Sequence, residues 1–255
     1  LRFRVHSGMA VPIRVKAEGV HFGRLAGGIL ASALRGQTAN VDAVGTAALS
    51  NAAKVVALAN SMAEQQASKV HLCFEPQMHA EEDEQRRLMR LVVTRRAPQP
   101  HEEPKDFSRG GIFVPVVASP SAADTEVDKS RTTPTSLART ILGEWMRFAA
   151  PDLRQATRLA AARSAQTSGL EASASVSSAM GRQSPPFVIA MGPPSIVLGV
   201  KALAFVCADV KKEHLAGVPP VLVVPRLWQR KAKMQNGEDK ISKLLVMCLV
   251  RASDT

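Results

Sequence analysis

The 255 residues suffice for one large or two small domains, and a hydrophobic fraction of 45% is ordinary for a folded chain. Thirty-three basic against 22 acidic side chains leave a formal charge of +11, which argues for a polyanionic partner (nucleic acid or an anionic membrane) or for solubility alone. Lys54 and Lys201 interrupt the longest apolar runs, so no stretch reaches the ~18 apolar residues of a membrane span and no membrane insertion is expected.

The first half reads in order. VPIRVKA (11–17) alternates as a short strand, and HFGRLAGGILASALR (21–35) carries an apolar face of helical period. NVDAVG (40–45) is a strand stopped by glycine. TAALSNAAKVVALANSMAEQQ (46–66) is a helix with Thr46 as its expected cap. KVHLCFEP (69–76) reads as a strand ended by proline, EEDE (81–84) as a turn, and 86–96 as the closing strand.

The second half repeats that order. GIFVPVVAS (111–119) reads as a strand, SLARTILGEWMR (136–147) as a helix and PFVIAMG (186–192) as a strand. PPSIVLGVKALAFVCADVKKEH (193–214) is a helix opening on proline, which a first turn tolerates. Strands at 219–228 and 240–252 close the unit. Each half is therefore β-α-β-α-β-β.

The halves also match residue by residue. LAGGILASALR (25–35) aligns without gaps to LARTILGEWMR (137–147), and Gly45 and Lys54 recur as Gly192 and Lys201. Arg95 and Arg251 both follow the last apolar residues of the closing strands. Repetition at this scale predicts an internal duplication. One unit spans 11–96 and a second 111–252, with a linker at 97–110. An insertion at 149–185 is in part low in complexity.

The first helix and the run Val44, Gly45, Ala48, Leu49, Ala52, Lys54, Val56, Ala57 resemble the Alba-like superfamily. Within it they are most similar to the bacterial stage V sporulation protein S family. The match covers about 13–96. In the second unit Gly192, Lys201 and Ala204 fit, whereas Pro193, Pro194 and the insertion depart. The resemblance implies an α/β (α+β sandwich) fold, each unit a four-stranded sheet with two helices on one face. It also implies nucleic-acid binding without catalysis, and a tendency to pair, either between the two units or as a dimer of chains.

Candidate contacts follow from charge and from the resemblance. The β3–β4 hairpin of the second unit holds Arg226, Arg230, Lys231, Lys233, Lys240 and Lys243 around Trp228. Cations beside an aromatic that can stack on a base suit nucleic acid, while a solvated hairpin with Trp228 packed on the core is the plain alternative. The matching loop of the first unit carries four consecutive acids and would repel phosphate. Lys16 and Arg24 flank the first strand-to-helix loop, the family's other contact surface. Lys129 and Arg131 lie in the longer second one. Lys54 and Lys201 each stand alone on an apolar helix, either as phosphate contacts or as solvated positions with buried stems.

Other chemistry lacks its parts. No nucleophile elbow, phosphate loop or apolar carboxylate pair is present, so no catalytic residue is assigned. Cys73, Cys207 and Cys248 sit in apolar runs, as buried thiols of a reducing compartment do. His71 and His79 near Cys73 match no zinc spacing, so neither metal nor cofactor is expected. The first acidic residue is Glu18, after Arg2, Arg4, Arg14 and Lys16, the pattern of a transit peptide. That sets the expectation of an organelle, mitochondrial first and cytoplasmic otherwise.

The resulting expectation is an RNA-binding protein of a ribonucleoprotein such as an organellar ribosome, RNA being preferred to DNA, with neighbouring proteins as further partners. The alternatives are a scaffold subunit of a protein complex and a chromatin-like DNA-binding protein.

Overall fold

Gly45 and Gly192 end two strands with φ of 86° and 79° and turn the chain into helices. That left-handed backbone strains any residue with a Cβ, so glycine holds both corners. Around them a computed structural model describes residues 11–66, 68, 70–80, 87–97, 111–115, 132–149, 185–212, 218–233 and 239–252. It gives backbone only at 11, 80, 87, 231–233, 239 and 240.

The first half contains β1 (Val11–Val15), α1 (Phe22–Leu34), β2 (Ala39–Val44), α2 (Thr46–Gln65), β3 (His71–Ala80) and β4 (Arg87–Arg96). The second contains β5 (Ile112–Phe113), α3 (Pro134–Ala149), β6 (Phe187–Ala190), α4 (Gly192–Lys212), β7 (Val221–Lys233) and β8 (Asp239–Arg251). The chain is thus a mixed α/β fold, and among the described residues the elements of both halves come in the order β-α-β-α-β-β.

The eight strands form one sheet rather than two, in the order β1-β2-β4-β3-β7-β8-β6-β5. The edge pairs β1/β2 and β5/β6 are parallel and the rest antiparallel. Read inwards from either edge, the halves supply equivalent strands and meet at β3 and β7, where Phe74 pairs with Val223. The strand registers of the two halves also correspond. Val41 faces Leu91 as Val188 faces Met247, and Leu72 faces Arg95 as Val221 faces Arg251.

The described helices share one face of the sheet. α2 lies against β7 and α4 against β3, so each long helix covers a strand of the other half. Their apolar sides and the inward residues of both halves form one continuous core, with Ile29, Leu49, Val56, Phe74, Leu91, Ile141, Leu203 and Met247 all buried. Burial of such side chains is the main favourable term in the fold.

Hydrogen bonds and ion pairs sew the halves together. The Asn60 amide donates to the carbonyls of Leu72 (2.8 Å) and Pro225 (3.0 Å), and its oxygen accepts from the Leu72 N–H at 2.6 Å. Arg226 meets Glu64 at 2.7 Å and Lys211 meets Glu75 at 2.6 Å, each pair joining one half to the other. The duplicated Arg95 and Arg251 donate to Leu34 O and Phe148 O at the C-terminal ends of α1 and α3. Those carbonyls have no intrahelical partner, which gives these arginines a capping role.

Several boundaries differ from the sequence expectation. β3 runs on through Pro76 to Ala80, because a missing N–H is harmless where no ladder bond is required. β7 pairs with β3 only at Phe74, and Pro225 sits within β7 in the same way. β5 shrinks to Ile112–Phe113, and 116–119 lie outside the described residues. Thr46 is not a cap. Gly45 holds that position and no side chain bonds there. α3 starts two residues early, because the Thr133 and Ser136 hydroxyls reciprocally accept from each other's backbone N–H. α4 is apolar and long enough by composition to span a membrane despite Lys201, but 67% of that stretch is buried in this fold. The 81–84 turn, most of the linker and most of the insertion lie outside the described residues.

Candidate nucleic-acid interface

The face of the sheet away from the helices differs between the halves. In the first it carries an ion pair: Arg90 donates to Asp42 through Nε (2.7 Å) and Nη2 (2.9 Å), and that carboxylate holds the guanidinium pKa above its ordinary value. The register equivalents of this pair are Ile189 and Val246, which face each other and are buried. Phe187, Val224, Leu244, Cys248 and Val250 join them in a second apolar cluster, with Cys73 of the first half at its border.

Trp228 packs against that cluster and is only partly exposed. Alternation along β7 puts Trp228 on the same side as Leu222 and Val224, where it packs on apolar surface as the plain alternative expects. Arg226 is similarly engaged, through Glu64.

The hairpin itself is unusual. β7 and β8 pair from Val221↔Arg251 out to Lys233↔Asp239. β6 flanks β8 only as far as Leu245, and β3 touches β7 only at Phe74. The six register pairs beyond Leu227↔Leu245 therefore form a two-stranded ribbon about 20 Å long, with no lateral strand among the described residues. In the first half β2 flanks β4 out to Leu88, which leaves only the Ala80↔Arg87 pair beyond it. Arg230 and Lys243 are exposed on the ribbon, and Lys231, Lys233 and Lys240 occupy register positions along it.

The other candidates lie elsewhere. Because β3 and β7 are antiparallel, the ribbon end of the sheet holds the C-terminus of α2 and the N-terminus of α4. Lys16 and Arg24 belong to the opposite end, with the start of α2. There the Asn51 amide donates to the carbonyls of Lys16 (3.3 Å) and Ala17 (3.0 Å), fixing the loop that carries exposed Lys16 beside α2. Lys54 follows Asn51 by three residues on the same helix side and is half-buried, whereas Lys201 is exposed. No acidic residue stands in the first turn of α1 or α2, which leaves their N-terminal N–H groups compatible with an anion. In α4 that first turn is spent on Pro193 and Pro194. Lys129 and Arg131 lie outside the described residues.

The eleven candidates thus fall into three groups: the ribbon, the far loop, and two helix positions between. Sequence reading passed over Asn51, Asn60 and the two inter-half ion pairs. The signal for the asparagines was present, since a lone amide in an Ala/Val helix calls for a partner.

Burial pushes the Cys207 thiol up to about 12, with nearby Glu75 adding to the shift, and burial likewise raises Cys73. Neither is a nucleophile in this state. Among the described residues no cluster of His, Cys, Asp and Glu has the makings of a metal site. Comparison adds nothing to the geometry: no protein-family model matches the chain, and no curated protein matches it.

Proposed function

We propose that this chain is a non-catalytic nucleic-acid-binding protein, a tandem Alba-like fold whose second half grips its target with the β7–β8 ribbon. The observation that carries the reading is that ribbon: a hairpin that runs past its neighbours, with no lateral strand among the described residues and with Arg230, Lys231, Lys233, Lys240 and Lys243 along it. A ribbon of two strands fits a nucleic-acid groove, and its cations displace counterions from phosphates. The β-α-β-α-β-β order of each half and the pairing of the halves through β3 and β7 support the Alba-like assignment. RNA within a ribonucleoprotein is the proposed target.

With Trp228 packed on the core, affinity rests on phosphate contacts rather than base stacking. The test is a salt series on the whole chain with labelled RNA and duplex DNA, repeated with Arg230, Lys231, Lys233 and Lys243 changed to Ala. The log–log salt slope is expected to flatten by about three to four units in the variant. An unchanged slope removes the ribbon from the interface. No binding at low salt ends the nucleic-acid reading and leaves a scaffold role.

A further inference from the structure

Two ion pairs of opposite polarity cross the seam, from equivalent helix positions to strand positions two residues apart in the repeat. Glu64 of α2 and Lys211 of α4 correspond, since both lie 19 residues after Gly45 and Gly192. On the strands, Phe74 corresponds to Val223, so Glu75 corresponds to Val224 and Gln77 to Arg226. Glu64 reaches across to Arg226 on β7, and Lys211 reaches across to Glu75 on β3. The first half thus offers acids on both its helix and its strand, and the second offers bases on both. Gln77 also donates to the Glu75 carboxylate at 3.0 Å, which orients it toward Lys211.

We infer that these four charges select the partner: they fit a first half to a second half and oppose pairing of like halves. Two first halves joined through the same seam would set Glu64 where Lys211 sits, facing Glu75, twice. Two second halves would set Lys211 where Glu64 sits, facing Arg226, twice. Glu75 and Arg226 are each only 19% exposed, so water screens the unfavourable pairings incompletely. The Asn60 bond weighs against one wrong pairing only. Its counterpart Cys207 donates to Val221 O within its own half, so a pair of second halves lacks the stitch, whereas a pair of first halves would have it twice. A duplicated fold has two identical docking edges at its origin, and repulsion against the wrong pairing is what keeps copies from exchanging halves. This inference is independent of nucleic-acid binding.

The test uses whole chains. One variant carries Glu64→Lys and Glu75→Lys, and a second carries Lys211→Glu and Arg226→Glu. Each gives a seam of one sign, and its thermal midpoint is expected to drop by about 3–8 °C. A third chain with all four changes regains opposite signs and is expected to recover more than half of that drop. The first two variants, unfolded and refolded together, are expected to yield several-fold more dimer than either alone. In that dimer each first half meets the complementary second half of the other chain. Failure of the four-fold reversal to recover the midpoint overturns the inference. So does a mixture with no more dimer than its components, because charges that merely stabilise would not redirect pairing.

Discussion

Phe74 and Val223 hold corresponding register positions in the two halves, facing Val93 and Leu249, and they face each other across the β3–β7 seam. Both are fully buried. Truncation of Phe74 empties volume where the cores of the two halves merge. Phe74→Ala is expected to cost about 3–5 kcal/mol, read from urea unfolding. The transition should stay single, because one core serves both halves. Two separate transitions in the wild-type chain would contradict that continuity.

Asn60 satisfies three backbone groups with one side chain. Its replacement by Ala strands the Leu72 N–H and removes the donor for two carbonyls, one of them in the other half. The expected loss is about 2–4 kcal/mol. Asn60→Asp keeps the acceptor but loses the donor, and is expected to rank close to Ala. A loss below about 0.5 kcal/mol for both would mean that water replaces the amide.

The corners at Gly45 and Gly192 are conformational rather than steric, since a Cβ at either would meet nothing within 4 Å. Ala at each position is therefore expected to cost about 1–3 kcal/mol through the backbone alone, and at Gly45, whose ψ of 169° lies outside the left-handed helical region that Asn tolerates, Asn is expected to cost as much as Ala. A cost below about 0.5 kcal/mol in thermal melts would mean that the corner relaxes to a negative φ.

Cys207 supplies an alkaline limb to the stability curve. Its thiol, pushed up to about 12 when folded, keeps its proton where the unfolded thiol, near 9.0, has lost it. The unfolded state then binds fewer protons, so stability falls as pH rises from about 9 towards 12 and is unaffected below that window. Cys207→Ala is expected to flatten this limb, and Cys73, shifted in the same direction, should leave a residual slope. Unfolding midpoints between pH 8 and 11 measure it.

The order of elements was legible because helical and alternating periods are local. VPIRV alternates, FGRLAGGILASAL shows one face, and Gly45 and Lys54 recur at 192 and 201 in elements of the same kind. That β3 meets β7 was not legible, since nothing local in HLCFEP or VLVVPR says which strand lies alongside. The position of Trp228 was readable in retrospect: Leu222, Val224 and Trp228 share parity, and that pattern outweighed the nearby cations. The ion pair of Asp42 and Arg90 against Ile189 and Val246 was visible only once the registers aligned the halves. The ribbon was half legible, as its charges stand in the sequence while its projection depends on where β6 and β3 stop.

The unequal outer faces of the sheet give the two halves different lifetimes. β8 has strands on both flanks at Leu245–Cys248, with Leu245 and Met247 buried on one face and Val246 and Cys248 on the other. Its counterpart β4 is flanked by β2 and β3 as well, but Arg90 and Val92 on its outer face are only half-buried. Amide protons in the middle of β8 should thus escape only when the whole chain opens, while those of β4 escape sooner. Two strands built on one pattern come to differ in protection, and the better guarded one runs on into the ribbon.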